Sequence, residues 1–247
     1  NMMDAVAERY QVTSTDTWYY GDWQSRNEYD PDGTTYVFVD DSGAAMTMCF
    51  LFYHFTQDQR YLLPALRSAE YFRRVASEST GQIGGVIHRN YEGSGPLGEP
   101  WGKRRAWAYR TAVPHVMSWA QTGLLYAYAV TGDRQYYELA RKSIRYAMEH
   151  YKDWHLVTSR SCEHARMLLP LAVLYRFEPT PEVKGWIDTV AGYIRSKQDA
   201  CGAILEWDGC SPKSNDAFGT GETSIFQVNG DPVTDQLYDT GFALMHL

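Results

Sequence analysis

The chain has 247 residues, 44% of them hydrophobic, a mean hydropathy of −0.45 and no run of eighteen apolar residues, which allows a sizeable buried core and excludes a helical membrane span. A formal net charge of −7 and a pI of about 5.5 argue against a nucleic-acid partner, which calls for a basic stripe or patch. Aromatic residues reach 15%, with 19 Tyr and 8 Trp, a density that suits a packed helical core or a cleft in which sugar rings stack.

Residues 1–247 read as a single domain or part of one, with residues 1–40 as its loop-rich lead-in. No signal peptide is visible, and the opening "NMMDAVAERY" reads as the interior of a longer protein. Within the lead-in, "YYGDWQSRNEYDPDG" (Tyr19–Gly33) is a polar-aromatic loop closed by an Asp-Pro-Asp-Gly turn. Its Asp and Asn residues do not follow the EF-hand spacing, so no metal is expected there.

Beyond it the chain repeats. "YHFTQDQRYLLPALRSAEYF" from Tyr53 matches "YAVTGDRQYYELARKSIRYAM" from Tyr128 at a constant offset of 75, pairing Thr56 with Thr131, Asp58 with Asp133 and Tyr71 with Tyr146. A third copy, "YRFEPTPEVKGWIDTVAGYI" from Tyr175, lies 47 residues further on, with Pro-Thr-Pro at the turn. Each unit predicts a helix, a tight turn and a second helix. The first helices are expected at about 44–56, 115–130 and 162–177, the second at about 58–77, 134–152 and 181–198, and a further first helix at about 234–247. Thr56, Thr131 and Thr180 are the polar turn residues expected to precede the second helices, with Pro181 in a first turn. The connections between units are long, and "GGVIHR" and "CGAILEW" in two of them read as short strands. Cys49 and Cys162 sit in apolar helical contexts as buried thiols, while Cys201 and Cys210 are a possible pair across a loop.

Helical hairpins with short turns at one end and long aromatic-rich loops at the other resemble the six-hairpin glycosidase-like (α/α) toroids. The resemblance runs from Asp40 to Leu247 and implies an all-α fold, an incomplete (α/α)6 barrel with short strands in the inter-hairpin loops; a shorter open α/α array is the alternative. It implies that first helices form an inner ring, second helices an outer ring, and that the long loops lead into a funnel above the inner helices. It also implies that further segments of the same protein lie beyond the present termini.

That geometry selects the residues at the starts of the inner helices. "VFVDDSG" places Asp40 and Asp41 before the first, "RAWAYRTAVPHV" places Trp107, Tyr109, Arg110 and His115 before the second, "SRSCEHARM" places Arg160, Glu163 and His164 at the third, and "NGDPVTDQLYD" places Asp231 and Asp235 at the fourth. Helix N-termini favour acidic residues for capping and dipole reasons alone, by roughly 0.5–2 kcal/mol, so Asp41, Ser42, Ser161 and Asp231 are also candidate caps. Three carboxylate-bearing starts out of four point further, to the acid and base or nucleophile of glycoside cleavage. Asp40 or Asp41 paired with Glu163, Asp231 or Asp235 is the expected catalytic set. Trp23, Trp101, Trp107 and Tyr109 are expected stacking platforms, with Arg110, His115, Arg160 and His164 as polar substrate contacts. Arg104, Arg105 and Arg110 suit the bidentate binding of a sugar carboxylate, hence a uronic-acid-containing substrate.

A polysaccharide lyase or sugar epimerase on the same scaffold is a second expectation, since His88, His115, His155 and His164 offer groups that titrate near neutrality. A non-catalytic glycan-binding toroid is a third. No nucleophile elbow, phosphate-binding loop or zinc-binding helix motif is present, so no cofactor is expected.

Overall fold

The computed structural model describes residues 9–15, 20–24, 36–83, 86–88, 112–156, 159–204 and 241–245. Three helical hairpins account for most of them. They are α1 (Val39–Thr56) with α2 (Gln59–Val75), α3 (Pro114–Thr131) with α4 (Arg134–Glu149), and α5 (Arg160–Phe177) with α6 (Pro181–Ser196). A 3-10 turn, Tyr151–Asp153, follows α4, and residues 241–245 are helical.

The first helix of each hairpin packs against the first helix of the next, α1 on α3 and α3 on α5, while α2, α4 and α6 cover them from outside. Sequence pattern explains the two layers. α4 (RQYYELARKSIRYAME) alternates an apolar stripe, from Tyr136 through Ala140 and Ile144 to Ala147, with charged residues, the mark of a helix with one face in water. α3 carries no such stripe: every residue from Pro114 to Leu125 is buried, as befits a helix enclosed on all sides. The expected all-α toroid-type arrangement of inner and outer helices is therefore the observed fold.

The repeated turns are built alike atom by atom. Thr56 and Thr131 end their helices, each hydroxyl donating to the carbonyl four residues back at 2.7 Å and accepting the N–H of Asp58 or Asp133. Asp58 and Asp133 are the N-caps, accepting from Arg60 and Gln135 backbone N–H at 2.9 Å. Thr56 and Thr131 thus precede the second helices as expected, with the capping done by the Asp two residues on; Thr180, bonded to the Val183 N–H at 3.3 Å, is itself the cap of its helix. Between each Thr and Asp the chain turns left-handed, with Gly132 at φ 72° and Gln57 at φ 57°.

The expected strand in "GGVIHR" forms as β2 (Val86–His88), antiparallel to β1 (Tyr36–Phe38), which runs directly into α1. β1 was not anticipated from sequence, although Tyr36-Val37-Phe38 has strand composition. Of the described part of "CGAILEW", Cys201 to Ile204, Ile204 forms an isolated bridge to Gln198. Cys49 and Cys162 are buried free thiols as expected, and burial pushes the Cys49 thiol up to about 12. Cys201 is exposed and free, so the pair with Cys210 that the sequence left open is not formed; Cys210 lies outside the described residues. In the native chain Cys201 is expected to react with a maleimide while Cys49 and Cys162 stay protected until denaturant is added, as read by mass spectrometry.

The second and third hairpins are tied by Glu178, just after α5. It accepts from Arg141 Nε and Nη2 at 2.5 and 2.7 Å and from the Tyr137 hydroxyl at 2.7 Å. The Arg141 hydrogen bonds hold the Glu178 carboxyl below its usual range. A carboxyl depressed by folding stabilises above its unfolded pKa of about 4.3 and loses that contribution as pH falls through its folded value. Glu178→Gln is expected to cost about 1 kcal/mol at neutral pH and to flatten the fall of the thermal midpoint below about pH 4.3, measured by unfolding at stepped pH.

Candidate functional site

A group of buried polar residues lies in the first two turns of the inner helices: Ser42 on α1, His115 and Ser118 on α3, Ser161, Glu163, His164 and Arg166 on α5. Burying such groups costs free energy unless they are partnered, so their gathering at one end of the helix array marks a candidate site.

α1 begins at Val39 rather than near residue 44, because β1 delivers the chain straight into the helix. Asp40 and Asp41 are thus inside the first turn. Phe38 occupies the N-cap and forms no side-chain cap bond, and Ser42 donates instead to Asp22 Oδ1 at 2.7 Å. Neither Asp41 nor Ser42 fills the capping role open to it, and at α5 the cap is Ser159, accepting from the Cys162 N–H, rather than Ser161.

Asp40, His115 and Glu163 come together from three helices. His115 Nε2 lies 3.8 Å from Asp40 Oδ2, and His115 Nδ1 lies 3.8 Å from Glu163 Oε1. The His115 backbone N–H donates to Glu163 Oε2 at 2.5 Å. Side-chain exposure grades across the group, 21% at Asp40, 1% at His115 and 0% at Glu163, so Asp40 is the member open to a ligand. An imidazole between two carboxylates can hold a proton and tune the charge and orientation of the outer carboxylate. Asp41 is exposed beside Asp40.

Arg166, three residues after Glu163, was not anticipated. It donates to the His115 carbonyl at 2.9 Å and stacks on Phe242, its guanidinium 4.5 Å from the ring centroid. Phe242 also meets Trp119 edge-on at 6.3 Å, bringing residues 241–245 to the same end of the inner helices. The sequence signal for Arg166 is a lone charge in the otherwise apolar run "ARMLLPLAVL".

Two expected substrate contacts, Trp23 and His164, are buried. Trp23 is 5% exposed, and its indole N–H donates to Ser68 Oγ on α2 at 2.7 Å, so its ring face is covered by the core. His164 is enclosed by Tyr193, stacked at 3.9 Å, with Trp154 and Tyr151 against its edges. Its Nδ1 is 2.6 Å from the Arg160 carbonyl, an obligate acceptor, so Nδ1 carries a proton, and Nε2 is hydrogen-bonded with the Tyr151 hydroxyl at 2.7 Å. Arg160 opens α5 with a half-buried side chain, and His155 is exposed. Trp101, Trp107, Tyr109, Arg110, Asp231 and Asp235 lie outside the described residues.

No family model and no curated protein matches the chain. Among solved structures, the chain's fold matches that of the GH76A α-1,6-mannanase of Salegentibacter sp. HEL1_6, with a TM-score of 0.54 at 16% identity. The match covers 83% of this chain and 53% of the mannanase, so the chain spans about half that enzyme's length. A polysaccharide lyase is also similar, with a TM-score of 0.42 at 12% identity over 80% of this chain and 34% of the lyase. At such identity the mannanase likeness establishes the helical-hairpin fold and nothing about the reaction.

Proposed function

We propose that the chain carries the catalytic funnel of a glycoside hydrolase acting on a poly- or oligosaccharide, with Asp40 as one of its two working carboxylates. The observation that supports this reading is the meeting of Asp40, His115 and Glu163 at the starts of three inner helices. Glycoside cleavage requires a carboxyl group that reaches the glycosidic oxygen or the anomeric carbon, and a second carboxyl group across the sugar. Asp40 meets the first requirement through its partial exposure; Asp41, Glu163, Asp231 and Asp235 are the candidates for the second. The arginines and aromatics of "WGKRRAWAYR" support a uronic-acid-containing substrate, and the fold match adds α-1,6-mannan to the substrates worth testing.

The test is product analysis of the purified protein on α-1,6-mannan and on uronic-acid-containing oligosaccharides. New reducing ends without a new double bond support hydrolysis. An ultraviolet-absorbing unsaturated product would replace the hydrolase reading with a lyase in which His115 is the proton carrier. Retention of ligand without any turnover would leave a glycan-binding toroid.

A further inference from the structure

His115 is gripped through both polar atoms of its main chain by one neighbouring helix. Its N–H donates to Glu163 Oε2 at 2.5 Å, and its carbonyl accepts from Arg166 Nη1 at 2.9 Å. Glu163 and Arg166 stand three residues apart, on one face of α5, and both are buried.

The first N–H groups of any helix lack an intrahelical partner. At α3 the N-cap is Val113, whose apolar side chain forms no cap bond, and Glu163 supplies the missing acceptor from another helix. A Ser at position 113 would meet the same need locally and with no buried carboxylate, which is costly to desolvate. The second oxygen of Glu163 shows what else the charge does. Oε1 faces His115 Nδ1 at 3.8 Å, while Nε2 on the other side of the ring faces Asp40 Oδ2 at 3.8 Å. Both separations exceed hydrogen-bond length, so the ring acts on Asp40 as a fixed, electrostatically coupled neighbour.

We propose that Glu163 is a positioning residue and not the second catalytic carboxylate: with Arg166 it holds the His115 main chain, and so sets the imidazole that faces Asp40 as an electrostatic neighbour. A carboxylate with 0% exposure has no route to a substrate unless α5 moves, whereas Asp40 has one. This assignment rests on the reading of Asp40 as a working carboxylate, and it transfers the second role to Asp41 or to Asp231 and Asp235.

The experiment compares Glu163→Gln, Glu163→Ala and Asp40→Asn in the full chain, on whichever glycan the wild type turns over. Gln keeps an oxygen acceptor for the His115 N–H, removes the charge and puts an amide NH2 in place of the second oxygen. Glu163→Ala is expected to lower kcat by about 10- to 100-fold with KM within about twofold, the usual size of an orienting contact. Glu163→Gln is expected to recover at least about fivefold of that loss. Glu163→Gln as inactive as Asp40→Asn would make Glu163 a proton-transferring group and overturn the assignment, as would an unchanged kcat in Glu163→Ala. A readout without substrate runs alongside: histidine-ring 15N spectra, in which both Glu163→Gln and Asp40→Asn are expected to move the His115 signals. Unmoved signals in both would overturn the relay even if no glycan is turned over, while moved signals without turnover would defeat only the hydrolase reading.

Discussion

Asp40→Asn is expected to lower kcat by about 10²- to 10⁴-fold, roughly 3–5 kcal/mol of transition-state stabilisation, while leaving the thermal midpoint within a few degrees of wild type. Asn has the shape of Asp and keeps one acceptor oxygen, so the loss isolates the charge and the exchangeable proton. The fold should tolerate the change because Asp40 is not a helix cap: Phe38 holds that position and makes no side-chain bond. An acidic side chain in a first turn is stabilising by roughly 0.3–1 kcal/mol through the helix dipole, and its loss is small beside the expected kinetic effect. Initial rates on the glycan identified by product analysis, with circular-dichroism melting as the control, separate the two. Activity within tenfold of wild type would remove Asp40 from the chemistry and with it the proposed site.

How much of this was legible in the sequence depends on the residue. The hairpins were, because the offset of 75 repeats a turn whose chemistry is local: a Thr that closes one helix and an Asp that opens the next. The meeting of Asp40, His115 and Glu163 was legible too, since a ring of parallel inner helices brings their starts together whatever the loops do. Burial was not. A tryptophan that stacks on a sugar and one that fills a core have the same sequence signature, and Trp23 is the second kind. His164 beside Glu163 looked equally available, yet consecutive helical residues point about 100° apart, and the pair diverges, one toward His115 and the other toward Tyr193. Arg166 escaped notice because its partner is a backbone carbonyl 51 residues away, an interaction that leaves no pattern in the sequence.

The spacing between α1 and α3 sets the distance from Asp40 to His115, and Gly43 sets that spacing. A Cβ at position 43 would stand 2.8 Å from the Ala120 backbone N and 3.0 Å from the Trp119 Cβ. Both are parts of a buried helix that cannot step aside, so Gly43→Val must push the helices apart. Thr47, one turn along, ties α1 to α3 through its hydroxyl and the Trp119 carbonyl at 2.9 Å, and that bond would be strained as well. Overpacking of this kind costs about 3 kcal/mol, which for a chain of this size lowers the melting midpoint by roughly 10 °C. The same glycine-to-larger change on the outer layer serves as the contrast: a Cβ at Gly185 in α6 meets nothing within 4 Å, and Gly185→Ala is expected to stabilise by about 0.5–1 kcal/mol through helix propensity. Thermal unfolding of the two variants checks both signs. If Gly43→Val retains a folded fraction at low temperature, its kcat should fall further than the folded fraction does, because a displaced α1 carries Asp40 away from His115. A Gly43→Val chain that melts like the wild type would mean that α1 and α3 are not in close backbone contact, and the geometry on which the site depends would fall with it.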